Sequence, residues 1–314
     1  MISISISQIK YVLALHKTGS FSKAAELCFI TQSTLSTMIK KMEDQMGFKI
    51  FDRTSKPIPL TDEGHALIAQ FKVLNHEFEV LEEIVQETKE EMYGTLSIGI
   101  IPTLAPFLLP LFLDKLVSTY KEIKFSIYEI TTSEIIKRLK RRDLDIGILS
   151  TPIMDSSLTQ KKLFTEDFMI YDASENIKTS KRYKIKDIDI SRLWILEESH
   201  CLTNQIGTIC QLKKKRTIGN NLVFNSGSIL SLLELVNSNK GITLLPRLAT
   251  INKKLIDHKR VYKIETPVPA REIGIVTHPN FAKKRILSVL EKEILTSVKP
   301  KLGKGKNRKV INPY

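Results

Sequence analysis

The chain has 314 residues, 42% of them hydrophobic and 26% charged, with a formal net charge of +14 and three cysteines. That length exceeds one small core and points to about two or three domains. Three cysteines exclude a disulfide framework and point to a reducing, bacterial-type cytoplasmic setting, while the start at Met1 to Ile6 lacks the pattern of a signal peptide. No apolar run reaches the roughly 18 residues of a membrane span, so no membrane partner is expected.

The charge is uneven. Residues 1–60 carry +4, residues 61–93 carry −7, and residues 299–314 hold six Lys or Arg and no acid. The positive excess suggests a polyanionic partner, but net charge alone misleads about where it would be met, and the basic run at the end reads equally as a solubilising end or a DNA contact.

Ile9, Val12, Leu13 and Leu15 predict a first helix over 7–17, ended by Gly19. Ser20 or Ser22 can cap the next. Phe21, Ala24, Ala25 and Cys28 then fall at i, i+3, i+4 and i+7, an inward face that places Cys28 in a core as a packed thiol. After the turn Phe29-Ile30-Thr31, a third helix is expected over Gln32–Met46, with Thr31 as N-cap and Leu35, Ile39, Met42 and Met46 inward. Ser33, Thr34, Ser36, Thr37, Lys40 and Lys41 lie outside that stripe. Two short helices, a tight turn and a polar, basic outer face make a helix-turn-helix pattern, in which hydroxyls reach phosphates or base edges and lysines reach phosphates. The plainer alternative is an amphipathic helix with a solvated face. Phe48 to Thr61 follows as β-prone pieces around a turn bearing Arg53 and Lys56, a wing that would lay cations along the DNA backbone. The candidate DNA contacts are Thr31, Gln32, Ser33, Thr34, Ser36, Lys40 and Arg53.

Thr61-Asp62-Glu63-Gly64 opens a long helix with acids in its first turn, favourable for the helix dipole. Leu67, Phe71, Leu74, Phe78, Leu81, Val85, Thr88 and Met92 then alternate by four and three, a heptad seam that predicts a dimer-forming coiled coil. A helix packed on its own domain is the alternative. From Leu96 onward a βαβαβ alternation predicts an α/β sheet: strands at 96–100, 124–130 and 145–149, helices from Pro102 and from Ser133. Further strands are expected at 168–172, 193–196, 221–224, 242–245, 261–264 and 272–277, with helices at 228–238 and 281–297. Together these predict two lobes joined by crossing strands around a cleft.

At the end of the expected strand Leu193–Leu196 lies Glu197-Glu198-Ser199-His200-Cys201, with Cys210 nine positions on and Lys213-Lys214-Lys215-Arg216 just beyond. A thiol reacts as its thiolate, which nearby cations favour, so Cys201 and Cys210 form a possible peroxidatic and resolving pair. Two buried cysteines acting as small hydrophobes are the alternative. Thr103 and Thr132 stand at strand-to-helix junctions, where plain N-capping is an equal reading. His200 reads equally as a surface imidazole, and Arg271 as the partner of Glu272 or Glu129.

Phe21-Ser22-Lys23-Ala24-Ala25, Thr31-Gln32-Ser33-Thr34-Leu35-Ser36, Lys41-Met42-Glu43, Arg53-Thr54 and Leu60-Thr61-Asp62-Glu63-Gly64 together resemble the LysR-type transcriptional regulators, over roughly residues 5–298. Ile98-Gly99-Ile100-Ile101-Pro102-Thr103, Leu108-Leu109-Pro110, Leu196 to Leu202, Gln205, Cys210 and Gly241 to Pro246 look like the branch of that family that senses hydrogen peroxide. The resemblance implies a winged helix-turn-helix domain over 1–60, a linker helix over 61–93 and a two-lobed, periplasmic-binding-protein-like α/β regulatory domain over 94–298. It implies that Cys201 is the peroxide-reactive thiol, Cys210 its disulfide partner and Cys28 unreactive. Thr103, Thr132, His200 and Arg271 would line the peroxide pocket, Arg271 favouring the thiolate of Cys201 and polarising the O–O bond. It further implies double-stranded promoter DNA, a homodimer or homotetramer and RNA polymerase as partners, and no enzyme activity, metal or cofactor.

There are departures from the family pattern. Ser33 replaces a usual proline, and Thr203-Asn204 stands where a relative has an arginine and an aspartate. The basic segment 299–314 has no counterpart and is expected to be a disordered tail. A helix from Cys201 to Cys210 would separate their Cα atoms by roughly 13–14 Å, whereas a disulfide tolerates about 7 Å. The stretch would therefore have to refold for its disulfide to close. Other readings are a regulator answering to an organic effector in the cleft, and a thiol peroxidase fused to a DNA-binding domain; no peroxidase motif supports the latter.

Overall fold

The computed structural model describes residues 3–86, 93–175, 177, 180, 182–196, 201–212, 228–252, 254–281, 283–303, 305 and 307–314. The chain divides into two compact units, Met1–Glu91 and Met92–Tyr314.

In the first unit, helix α1 (Ile6–Thr18) begins at a capping box between Ser5 and Gln8 and ends at Gly19, whose φ of 62° places it in the left-handed region. A side chain there would also meet Pro57 at 2.8 Å. Helices α2 (Phe21–Leu27) and α3 (Gln32–Met46) pack on α1 through Val12, Leu15, Ala24, Leu35, Ile39 and Met42, all fully buried. Cys28 is half-buried against this core, and burial pushes its thiol up. The wing is shorter than expected. Its β pieces reduce to one bridge between Phe51 and Leu60.

Helix α4 (Asp62–Gln86) divides the expected seam. Phe71 is buried with Ile68 in the unit's own core, Leu67 packs on that core, and the Lys10 ammonium sits 4.8 Å over the Phe78 ring. Leu74, Leu81 and Val85 stay 44, 54 and 56% exposed. Thr88 and Met92 lie outside the described residues.

The second unit runs β1 (Gly94–Ile100), α5 (Ala105–Thr119), β2 (Ile123–Glu129), α6 (Thr132–Lys140), β3 (Ile146–Thr151), β4 (Thr159–Asp172), β5 (Arg182–Tyr183), α7 (Cys201–Cys210), α8 (Ile229–Ser238), β6 (Ile242–Pro246), β7 (Val261–Ile264), β8 (Val268–Thr277), α9 (Lys284–Leu302) and β9 (Arg308–Val310). The sheet order is β2-β1-β3-β8-β4-β7-β5, with β6 beside β4 and β9 beside β8. Parallel β1, β2 and β3 form one lobe with β8 and the first half of β4. The second half of β4 leaves that sheet and pairs with β6 and β7, the core of the other lobe. β4 and β8 are thus the crossing strands, antiparallel to each other and longer than the 168–172 and 272–277 segments expected.

The expected strand 193–196 is only a bridge from Leu193 to Ile242, and 221–224 lies outside the described residues. The largest correction concerns the basic tail, which is not disordered over its last residues. α9 continues past Pro300 because Val298 and Leu302 are buried, and β9 pairs in parallel with Val268–Ala270 of β8. Ile311 then enters the core. Composition weighted the lysines. The fold is decided by Ile311 and by Arg308, whose guanidinium meets Asp167.

Candidate functional site

The crossing strands hold a buried ion pair. Glu166 of β4 stands directly opposite Arg271 of β8 in the ladder, and they are 0 and 1% exposed. Arg271 Nε donates to Glu166 Oε1 at 2.8 Å, and the Nη2–Oε1 distance is 2.7 Å. The other carboxylate oxygen accepts from Leu248 N at 3.0 Å. Arg271 also donates from Nη1 to Thr103 Oγ1 at 3.1 Å and from Nη2 to the Thr103 carbonyl at 3.2 Å. Removing two charges from water is costly, and the pair holds because both carboxylate oxygens are occupied. The expected partners of Arg271 were Glu272 or Glu129. Glu272 instead binds Lys162 at 2.8 Å. Glu166 was missed because only the β4–β8 register reveals it.

Neither threonine caps its helix. The N-cap of α5 is Leu104, and Thr103 uses its hydroxyl to accept from Arg271. That leaves the Thr103 proton as a donor. The N-cap of α6 is Thr131, which accepts from Glu134 N. Thr132 is buried, and its Oγ1 lies 3.1 Å from Cys201 Sγ. The structure therefore joins Thr103 to Arg271 and Thr132 to Cys201. The hydrogen bonds of Arg271 run to Glu166 and Thr103. His200 and the run Lys213–Arg216 lie outside the described residues.

Cys201 and Cys210 stand at the two ends of α7, half-buried and buried respectively. A ten-residue α-helix keeps their Cα atoms roughly 13–14 Å apart. Leu202, Ile206 and Ile209 anchor its inner face, and Thr203 Oγ1 donates to the Leu196 carbonyl at 2.9 Å. Among the described residues no group of histidines, cysteines and acids has the arrangement of a metal site.

In the first unit the expected recognition helix is α3. Thr31 caps it by accepting from Thr34 N at 3.2 Å, and its hydroxyl also contacts those of Ser33 and Thr34. Gln32 accepts from Ser22 at 2.9 Å, which ties α2 to α3. Thr31, Gln32, Ser33, Thr34, Lys40 and Lys41 are exposed on one side, with Ser36 half-buried. Arg53 does more than the wing reading foresaw. It donates to Glu43 Oε2 at 2.7 Å and covers the Phe21 ring. Buried Glu43 also accepts from Ile50 N and Phe51 N, so one carboxylate pins the wing to α3. An acid four residues after Ile39, on the inward stripe, was the available signal.

Two family descriptions match the chain: "LysR substrate binding domain" over residues 89–292, and "bacterial regulatory helix-turn-helix protein, lysR family" over 6–65. The regulator EstR of Acinetobacter baylyi is 31% identical, covering 87% of this chain and 90% of its own length. The dual regulator OxyR of Escherichia coli is 30% identical, covering 88 and 90%. A full-length OxyR variant from Pseudomonas aeruginosa superposes with a TM-score of 0.76 at 26% identity, covering 94% of this chain and 99% of that one. With both halves of the chain matched in order, the chain belongs to the LysR family of bacterial transcriptional regulators.

Proposed function

We propose that this regulator senses hydrogen peroxide with Cys201 and converts the signal into a Cys201–Cys210 disulfide. The observation that carries the reading is the half-buried Cys201 thiol, hydrogen-bonded to Thr132 at the head of a helix that ends in Cys210. Relatives at similar identity over nearly their full length are named hydrogen peroxide-inducible genes activators.

In the first step the Cys201 thiolate attacks one peroxide oxygen. An S–O bond forms and the O–O bond breaks; the second oxygen leaves as hydroxide and is protonated to water, and the sulfur is oxidised by two electrons. The donors for this step are the Thr132 hydroxyl, at the sulfur, and the Thr103 proton, left free by Arg271. His200 is a further candidate. In the second step the Cys210 thiolate attacks the sulfenic sulfur, an S–S bond forms, and hydroxide leaves and is protonated to water. The helical span of about 13–14 Å cannot fit a disulfide limit of about 7 Å, so α7 unwinds in that step.

The DNA half of the function rests on α3. Thr31, Gln32, Ser33, Thr34, Ser36 and Lys40 face the duplex, and Arg53 steadies the wing against it. The α4 seam supplies the dimer, two dimers make the tetramer, and RNA polymerase is the downstream partner. The protein acts in the cytoplasm.

An organic effector held between the lobes is the competing reading, favoured by the closure of Arg271 on Glu166 and Thr103 rather than on Cys201. Titration with one equivalent of peroxide separates the two. Sensing predicts loss of two thiols with a fluorescence change at Trp194, the only tryptophan. Retention of a free Cys201 would leave the effector reading standing.

A further inference from the structure

The segment Arg308–Tyr314 joins β8 to α7, the helix that carries both cysteines at its ends. On one side it belongs to β8. Val268 N donates to the Asn307 carbonyl, β9 pairs with Val268–Ala270, and Ile311 N donates to the Ala270 carbonyl at 2.8 Å. The next residue of β8 is Arg271. Ala270 pairs with Asp167 on its other side, and Asp167 binds Arg308 and follows Glu166. On its far side the segment belongs to α7. Gln205 Nε2 donates to the Ile311 carbonyl at 2.9 Å, and Asn204 Nδ2 to the Pro313 carbonyl at 3.3 Å. Tyr314 lies close enough to Cys201 that a negative charge on that sulfur adds to the burial that raises its phenol pKa.

We propose that Arg308–Tyr314 is a strap that positions the sensing helix, holding α7 against β8 in the dithiol form and coming off when Cys201 and Cys210 join. This rests on the disulfide reading above. Asn204 and Gln205 sit between the two cysteines, and the helical backbone of α7 is what aims both side chains at the strap. Unwinding α7 to bring the sulfurs together turns both away, so the strap and the disulfide exclude each other. Contacts made only in the dithiol form favour that form, so the strap also sets how readily the disulfide is reduced.

Hydrogen exchange on the full chain tests this. The disulfide is formed in one sample with peroxide and in another with diamide, so that the strap is examined whichever oxidant serves the protein. The Ile311 amide, which donates to the Ala270 carbonyl, should be protected in the dithiol form and lose that protection in both disulfide samples. Equal protection in the two states, or no Cys201–Cys210 disulfide with diamide, overturns the proposal. Failure with peroxide alone overturns the sensing reading and leaves the strap to the diamide sample. A variant ending at Asn307 supplies a second readout, the dithiothreitol ratio at half-reduction. With the bonds to Asn204 and Gln205, the β9 pairing and the Arg308–Asp167 pair gone from the dithiol form, that midpoint should move toward the disulfide by at least about tenfold. An unmoved midpoint in a folded variant counts against the strap.

Discussion

Thr131 and Thr132 are adjacent and chemically identical, yet the structure gives them separate tasks. Thr131 caps α6, while the buried Thr132 hydroxyl sits 3.1 Å from Cys201 Sγ. Thr132→Val keeps the shape and removes only that hydroxyl. A hydrogen bond to a charged acceptor contributes about 1.5–3 kcal/mol. If the resting sulfur is the neutral thiol and the bond is made to the charge that develops on it and kept in the transition state, its loss slows sulfenic acid formation by about 10- to 150-fold. The cap at Thr131 is untouched, so the melting temperature should hardly move. Thr131→Val is the matched control, costing about 1 kcal/mol of helix stability and changing the rate by no more than about twofold. The assay is stopped-flow oxidation in a Cys210→Ser background, which halts at the sulfenic acid, with dimedone trapping. Equal rates for Thr132→Val and the parent, or slowing by Thr131→Val alone, would refute the assignment of Thr132 to the thiol.

Glu166→Gln removes the charge that balances buried Arg271. Breaking such a pair from one side costs about 3–5 kcal/mol, so calorimetry should show the second unit melting about 10 °C lower. Replacing both Glu166 and Arg271 by methionine should recover part of that loss. Glu43→Gln weakens the grip on Arg53 and on the wing amides, and should lower operator affinity with a modest loss of stability, read by gel shift and circular dichroism. Leu74→Glu combined with Leu81→Glu places charge on the exposed part of the α4 seam. The variant should fold but sediment as a monomer and bind an operator more weakly; a persistent dimer would locate the pairing surface elsewhere.

What the sequence made legible is what short-range periodicity controls. The helices of the first unit, the long α4 and the β1–β3 alternation each declare themselves by spacing within one element. The stripe of α3 at Leu35, Ile39 and Met42 is the buried one. Hidden features depend on distant residues. Glu166 is 105 residues from Arg271, and only the β4–β8 pairing brings them together. The division of the α4 seam depends on α1 arriving beside Phe71 and Phe78. Which of Thr131 and Thr132 caps α6 is a one-residue boundary, the least determined feature of any helix. The tail misled because Lys, Gly and Asn dominate its composition, whereas its order comes from Ile311 and Arg308 finding partners in β8 and β4.

The central claim is that Cys201 and Cys210 cannot join while α7 is a helix. Determining the structure of the chain after one equivalent of peroxide tests it most directly. The expected result is a Cys201–Cys210 disulfide, Cα atoms within about 7 Å and α7 broken between them. An intact α7 in the fully oxidised protein, with the cysteines still roughly 13–14 Å apart, would contradict it.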